Sequence, residues 1–555
     1  MTFSCLPRLI TSCAIFAIGI SFAFAAATRE ADPIRIAQTS DARPTPPAKQ
    51  NGQLLAEGLA ALEHGDASTA RNLLEQALVV DPRSVEAHTY LGILADRASD
   101  LNNALRHFAL AARLAPRSAK TRNNYGAILL RLDRKTEAAA EFEASLRLDP
   151  NQAKALVNLA QIRFESNTPE GLRAADELFR RADALAPDLE IARALTVIAL
   201  RRNDPQAAAN HYQSYARLLK SSENRLTVAM RSELGGALME AGLLAEAEAE
   251  LEGALSLEPA NVDIILRLAR VHLARKDFPA AGRTLEGALA RKVEAASIYA
   301  LLAVVYEKSG HIENAIPAMR LAIQLDPQSE KYRFQYGLLL TDLDAPAAAV
   351  IRLNEALQSF PTSARLWLAL GLANLKMNKT YEAAQAFNHA IELDPKFAQA
   401  YACLGMTRVD FGQYGEAVRL YEQALQREPK LGVVHYLIAE TLLRQTAADP
   451  ARVEAHLKQA IQMDGTYAPA RLALGMLYAR NARLTEAAGE LERCIALDPN
   501  LAEAHYQLSR AYSRLNRPAQ AQTALATFKR LSDTQKEQAL KDRKEIVDRL
   551  ASVLF

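Results

Sequence analysis

The 555-residue chain is expected to be all-α, an α-solenoid of repeated helix pairs, and two observations say so. Half of its residues are apolar while only 6% are aromatic, and Ala and Leu carry that fraction, which favours helix over strand. Its prolines recur at a spacing of 34: Pro82, Pro116 and Pro150, then Pro327, Pro361, Pro395 and Pro429. Proline cannot continue a helix and turns its predecessor away from the α region, so each one marks a helix end. Self-similarity at such a period is the signature of a stacked array.

Composition excludes several classes. With 66 basic and 64 acidic residues the net charge is +2, which leaves no global field to recruit nucleic acid or an anionic membrane. Ordinary Gly and Pro counts, four cysteines and the high apolar content exclude collagen, a disulfide scaffold and a wholly disordered chain.

The first element is an address. Residues 1–25 place Arg8 before a mostly apolar run from Leu9 to Phe24 and end in Ala23-Phe24-Ala25, the layout of a secretory signal peptide. Cleavage is expected after Ala25, or else after Ala27. The rival is an uncleaved anchor that tethers the protein to a membrane, the run being near the lower length limit for a span. Cys13 follows Ile10-Thr11-Ser12, with too little apolar sequence ahead of it for a lipidation box. No later segment approaches the roughly eighteen apolar residues of a span, so none is expected in the mature chain. The protein is thus expected to be exported, periplasmic or secreted.

Residues 26–50 hold Pro33, Pro44, Pro46 and Pro47 among polar residues, with no periodic apolar face, and are expected to form a disordered tether. Repeat units follow, beginning near 51, 85, 119, 153, 189, 228, 262, 296, 330, 364, 398, 432, 468 and 502. In the unit from Ala398 to Leu431, Leu404 and Gly405 belong to a first helix, and Ala417, Tyr421 and Ala424 form the core stripe of a second. Leu370, Gly371, Ala383, Phe387 and Ala390 fill the same slots one unit earlier. Small residues let two antiparallel helices approach closely, and the aromatic fills the gap beside them.

This Leu-Gly, Ala, Phe/Tyr, Ala, Pro spacing resembles the tetratricopeptide repeat family. The resemblance runs from about Asn51 to Phe528 and implies a right-handed superhelix of about fourteen units. Units one to five occupy 51–222 and units six to fourteen occupy 223–530. The fifth unit departs from the pattern, with Thr196 in the small-residue slot and the extra residues Ser221 to Arg225, where a break in the stack is expected. Residues 531–555 lack the motif and are expected to form a polar helix capping the exposed end of the stack.

No chemistry announces itself. There is no phosphate loop, zinc motif, Cys-x-x-Cys or nucleophile elbow, so neither an enzyme nor a bound cofactor or metal is expected. His107, His272, His389, His435 and His505 are expected to be packing or surface residues. Cys403 and Cys494 stand two repeats apart, roughly 20 Å if packed helices advance about 10 Å each, too far to bridge. Both are expected to be buried small hydrophobes.

A binding surface remains. In the family the concave face is lined by the second, fifth, sixth, ninth, twelfth and thirteenth positions of each unit, mostly from the first helix. Carried onto this chain, units three and four present Lys120, Asn123, Asn124, Lys154, Asn158 and Gln161. Asn124 and Asn158 resemble the asparagine ladder with which such superhelices hold peptide backbone, since an amide both donates and accepts. Units ten to thirteen present Leu368, Leu372, Leu375, Met406, Val409, Tyr436, Leu472 and Met476, an apolar set suited to an amphipathic helix or extended segment, unless curvature buries it. Trp367 falls in a packing slot and is expected in the core. The resemblance therefore implies a scaffold or adaptor that binds other proteins or peptide segments in bacterial envelope assembly. The alternative is a periplasmic component of exopolysaccharide synthesis or export that guides polysaccharide or docks an outer-membrane pore.

Overall fold

A computed structural model describes residues 46–221, 226–445, 449–532, 546, 549 and 550. The expected signal peptide, most of the tether and most of the C-terminal stretch lie outside the described residues. Among those described there are 28 helices and no strand, and within the two compact units of the chain they form thirteen antiparallel pairs. Thirteen of the fourteen first helices begin at the residue read from the period; the other begins at Pro46, five residues earlier, so the end of the expected tether is helical. A proline starts a helix without loss because its missing N–H would have no partner there.

In thirteen of the repeats the first helix is followed by one residue in the left-handed region, a position filled by Gly65, Gly242, Gly310 and Gly412 in four of them. Elsewhere the slot is held mostly by Asn or Asp, such as Asn167, Asn378 and Asn516, the side chains that tolerate this backbone best. Many first helices carry an oxygen-bearing cap: Ser84, Ser118, Asn261, Ser329 and Ser363 each accept a backbone N–H three residues on.

The helix pairs are held by a small residue facing a large one. A Cβ added to Gly405 would lie 2.6 Å from Cε1 of Tyr421, and one added to Gly126 would lie 2.9 Å from Cε1 of Phe142. Only glycine leaves room for those buried rings.

The chain divides into two compact units, Met1–Asp277 and Phe278–Phe555. The division falls inside repeat seven, whereas the sequence places a break near 220–225, of which 222–225 lie outside the described residues. Within each unit most helices pack on both of their neighbours in the chain, and several first helices of successive repeats touch, as Ala364–Lys376 does with Ala398–Asp410. In the first unit a buried polar group bridges repeats five and six. Glu250 accepts from Tyr212 Oη at 3.0 Å and Tyr215 Oη at 3.1 Å, with Arg231 Nη1 at 3.8 Å. Thr196 is fully buried beside this junction and donates to the Ala192 carbonyl at 2.9 Å, which satisfies its hydroxyl where the pattern has a smaller residue.

Ile546 and Leu550 are buried, and they join the apolar cluster that extends from Phe334 to Ala487. Arg549 between them pairs with Asp464 and lies over the Tyr467 ring, 4.4 Å from its centroid. These described residues of the last stretch therefore pack on that cluster and on Asp464 and Tyr467.

Candidate functional site

The apolar set divides in two. Leu368, Leu372, Leu375 and Met406 are buried at 1%, 5%, 3% and 7% exposure, inside the same cluster as Ile546 and Leu550. This corrects the expectation of an open groove at repeats ten and eleven. Val409, Tyr436, Leu472 and Met476 are only half-buried. Three of these, Tyr436, Leu472 and Met476, line a cleft of about 230 Å³ between the first helices Gly432–Leu443 and Ala468–Arg480. Leu443, Leu477 and Leu501 extend its apolar wall, and Glu440 and Arg480 stand at its rim. Tyr436 is held edge-on against Tyr467 at 5.2 Å between ring centroids, which fixes one wall of the cleft.

The polar set lies in the first unit on Ala119–Arg131 and Ala153–Glu165. Lys120 and Lys154 are exposed, Asn123, Asn124 and Asn158 half-buried, and Gln161 buried. Gln161 donates to Glu165 at 2.8 Å, yet its own Oε1 and the Oδ1 of Asn123 have no hydrogen-bond partner.

Sequence reasoning missed two histidine pairs, because each joins residues about twenty apart that face each other only when the helices pair. His88 and His107 share a hydrogen bond between their Nδ1 atoms at 3.0 Å, and His435 and His456 do so at 2.9 Å. Burial, with the neighbouring ring second, holds His107 and His435 down at about 4. Trp367, expected in the core, is half-buried; its ring lies against His389 at 4.7 Å. Cys403 and Cys494 are free and buried as expected, and burial pushes both thiols up to about 12. Neither is a nucleophile at neutral pH. Among the described residues no group of His, Cys, Asp and Glu could hold a metal ion, and no helix is long and apolar enough to cross a membrane.

Family models of the tetratricopeptide repeat match residues 55–119, 123–190, 193–262 and 238–305, then 296–329, 364–397, 386–419, 468–501 and 490–523. Together they span most of the chain, which belongs to the tetratricopeptide repeat family. Among solved structures it is similar to the Cut9–Hcn1 hetero-tetramer of the APC/C, at 15% identity over 92% of this chain and 97% of that one, with a TM-score of 0.38. Yeast Tom70 matches at 17% identity over 84% of this chain and 96% of its own, TM-score 0.38. MamA matches at 17% identity over 30% of this chain and 97% of its own, TM-score 0.28. No curated protein matches the sequence. Membership in this family makes the chain a protein-interaction scaffold.

Proposed function

We propose that this protein is an exported, non-catalytic adaptor that holds segments of other proteins against the first helices of its repeats during assembly of a bacterial envelope. The observation that carries this reading is the half-open apolar cleft of Tyr436, Leu472 and Met476, walled by leucines and edged by Glu440 and Arg480. Its size suits one or two apolar side chains of a helix or extended segment, and methionine adapts to differently shaped occupants. The N-terminal signal pattern supports export.

The test is photo-cross-linking in native cells, comparing the wild-type chain with a Leu472→Asp, Met476→Asp variant of unchanged melting temperature. Envelope proteins captured by the wild type and lost from the variant are the expected result. Identical captures from both would overturn the cleft as the site, and retention of envelope polysaccharide in place of protein would favour the exopolysaccharide role. Recovery of a mature N-terminus at Ala26 or Thr28 from the soluble envelope fraction would establish export.

A further inference from the structure

Repeat nine lacks a carboxylate that other repeats of the same pattern carry. Four repeats have arginine at the fourth position of the first helix: Arg122, Arg231, Arg333 and Arg471. In three of them the twenty-third position, on the second helix, is a glutamate paired with that arginine, Glu141 at 2.9 Å, Glu250 at 3.8 Å and Glu490 at 2.9 Å. Repeat nine carries Arg352 there, so a second guanidinium stands where the pattern places the counter-ion. Arg333 donates from Nη2 to the Pro327 carbonyl at 2.9 Å, while its buried Nε has no hydrogen-bond partner. Arg333 and Arg352 line a cleft of about 420 Å³ together with Arg320 from the second helix of repeat eight. Arg320 is exposed and has neither an ion pair nor a hydrogen bond among the described residues. Glu355 is the one carboxylate on the wall, and it is already bound by Arg352 at 2.8 and 3.0 Å. Three arginines against one glutamate leave the wall two positive charges in excess, an arrangement that repels itself unless an anion enters.

We propose that this cleft, lined by Ile312–Leu325, Glu330–Asp342 and Pro346–Ser359, is a binding site for a small phosphate monoester. An excess of two positive charges matches the dianion that such an ester becomes near neutral pH, whereas a carboxylate answers only one of them. A guanidinium meets phosphate oxygens with two parallel N–H donors, and Arg320 has its donors free for that contact. The cleft falls in the size range of small-molecule sites and is larger than a bare phosphate needs, so the organic group of the ester lies against Tyr336 and Ile323. The anion that repeats three, six and thirteen supply as a glutamate side chain is here supplied from solution, and its binding stabilises the junction of repeats eight and nine by mass action. The site lies apart from the apolar cleft of repeats twelve and thirteen and does not depend on the adaptor reading.

The experiment titrates the full chain with inorganic phosphate, phenyl phosphate and acetate by calorimetry at constant ionic strength, so that screening is equal in every arm. Phenyl phosphate should bind most tightly, and acetate should not bind. Arg320→Gln removes an exposed guanidinium with no partner in the chain; it should melt with the wild type and bind phenyl phosphate about tenfold more weakly or worse, as the loss of a charged hydrogen bond requires. Arg352→Glu restores the glutamate of repeats three, six and thirteen, so in phosphate-free buffer it should melt no lower than the wild type, and it should abolish binding. Phenyl phosphate bound equally by the wild type and either variant would overturn the proposal, as would a wild type that binds neither phosphate. Acetate binding as tightly as phosphate would overturn the dianion, and phenyl phosphate bound more weakly than inorganic phosphate would overturn the ester. Retention of the chain on vesicles of phosphatidylcholine and phosphatidic acid, without binding of phenyl phosphate, would overturn the soluble source by placing the phosphate on a lipid. Should Arg352→Glu melt early, Arg320→Gln decides the outcome alone.

Discussion

Trp367 donates its indole N–H to the carbonyl of Pro361, six residues earlier, at 3.1 Å. The proline ends one repeat and the tryptophan is the fourth residue of the next. The relationship recurs with other chemistry: Tyr401 reaches Pro395 at 3.3 Å, His505 reaches Pro499 at 3.0 Å, Arg122 reaches Pro116 at 3.0 Å and Arg333 reaches Pro327 at 2.9 Å. Proline gives no N–H to the turn, but its carbonyl stays available, and a long donor at the fourth slot of the following helix ties the joint between repeats. Trp367→Phe keeps the ring and removes the donor. It should lower stability by about 0.5–1.5 kcal/mol in chemical denaturation, and Trp367→Phe as stable as wild type would show the bond to be incidental.

The facing of Gly405 and Tyr421 sets a second expectation. Alanine is the better helix former by roughly 1 kcal/mol, yet at 405 its methyl would meet the buried ring at 2.6 Å. Gly405→Ala should therefore destabilise by about 1–3 kcal/mol through overpacking. Gly489, inside Leu484–Leu497 with nothing within 4 Å of an added Cβ, is the control, and Gly489→Ala should stabilise by roughly 0.5–1 kcal/mol. Opposite signs in thermal melts check both.

Leu372 and Met476 occupy the same slot of their repeats but different environments. Leu372→Asp places a carboxylate in the apolar cluster and should cost several kcal/mol, on the order of 3–5, melting the second unit early. Met476→Asp, on the half-buried wall of the cleft, should change stability by about 1 kcal/mol or less while weakening partner capture. Circular dichroism alongside the cross-linking assay separates the two.

The histidine pairs predict acid sensitivity. His107 and His435 sit at about 4 in the folded protein, below the ordinary histidine value of 6.5. The folded state thus binds fewer protons than the unfolded one, so their contribution is whole above pH 6.5 and is lost as pH falls towards 4. A His107→Gln, His435→Gln chain should show a flatter fall of melting temperature between pH 7 and 4.5 than wild type. Parallel curves would rule out this role.

Glu250 runs the other way. Burial raises its carboxyl above the ordinary glutamate range despite Arg231 and the two tyrosine hydroxyls. The folded state holds this proton more tightly, so the stability linked to it is present below the unfolded value and is lost as pH rises through the folded one. Relative to Glu250→Gln, the wild type should become less stable from mildly acid to neutral pH; a relative gain over that range would contradict the assignment.

What could be read from the chain follows from how local the signals are. A proline every 34 residues and a small residue facing an aromatic sixteen later are encoded within one repeat, so the helix pairs and thirteen of their starting points were legible in the sequence alone. The four buried residues of the expected groove were not, because slot number says which way a side chain points and not what covers it. Leu368 and Leu472 hold the same slot of their repeats, yet one is enclosed and the other lines a cleft, and the packing of the surrounding helices decides which. The histidine pairs, the two tyrosines on Glu250 and the seat of Arg549 on Asp464 and Tyr467 are likewise contacts across 19 to 85 residues. Sequence determined the repeating unit, because its geometry is carried by neighbours along the helix; tertiary structure decided which faces remain accessible, because burial belongs to whatever packs on them.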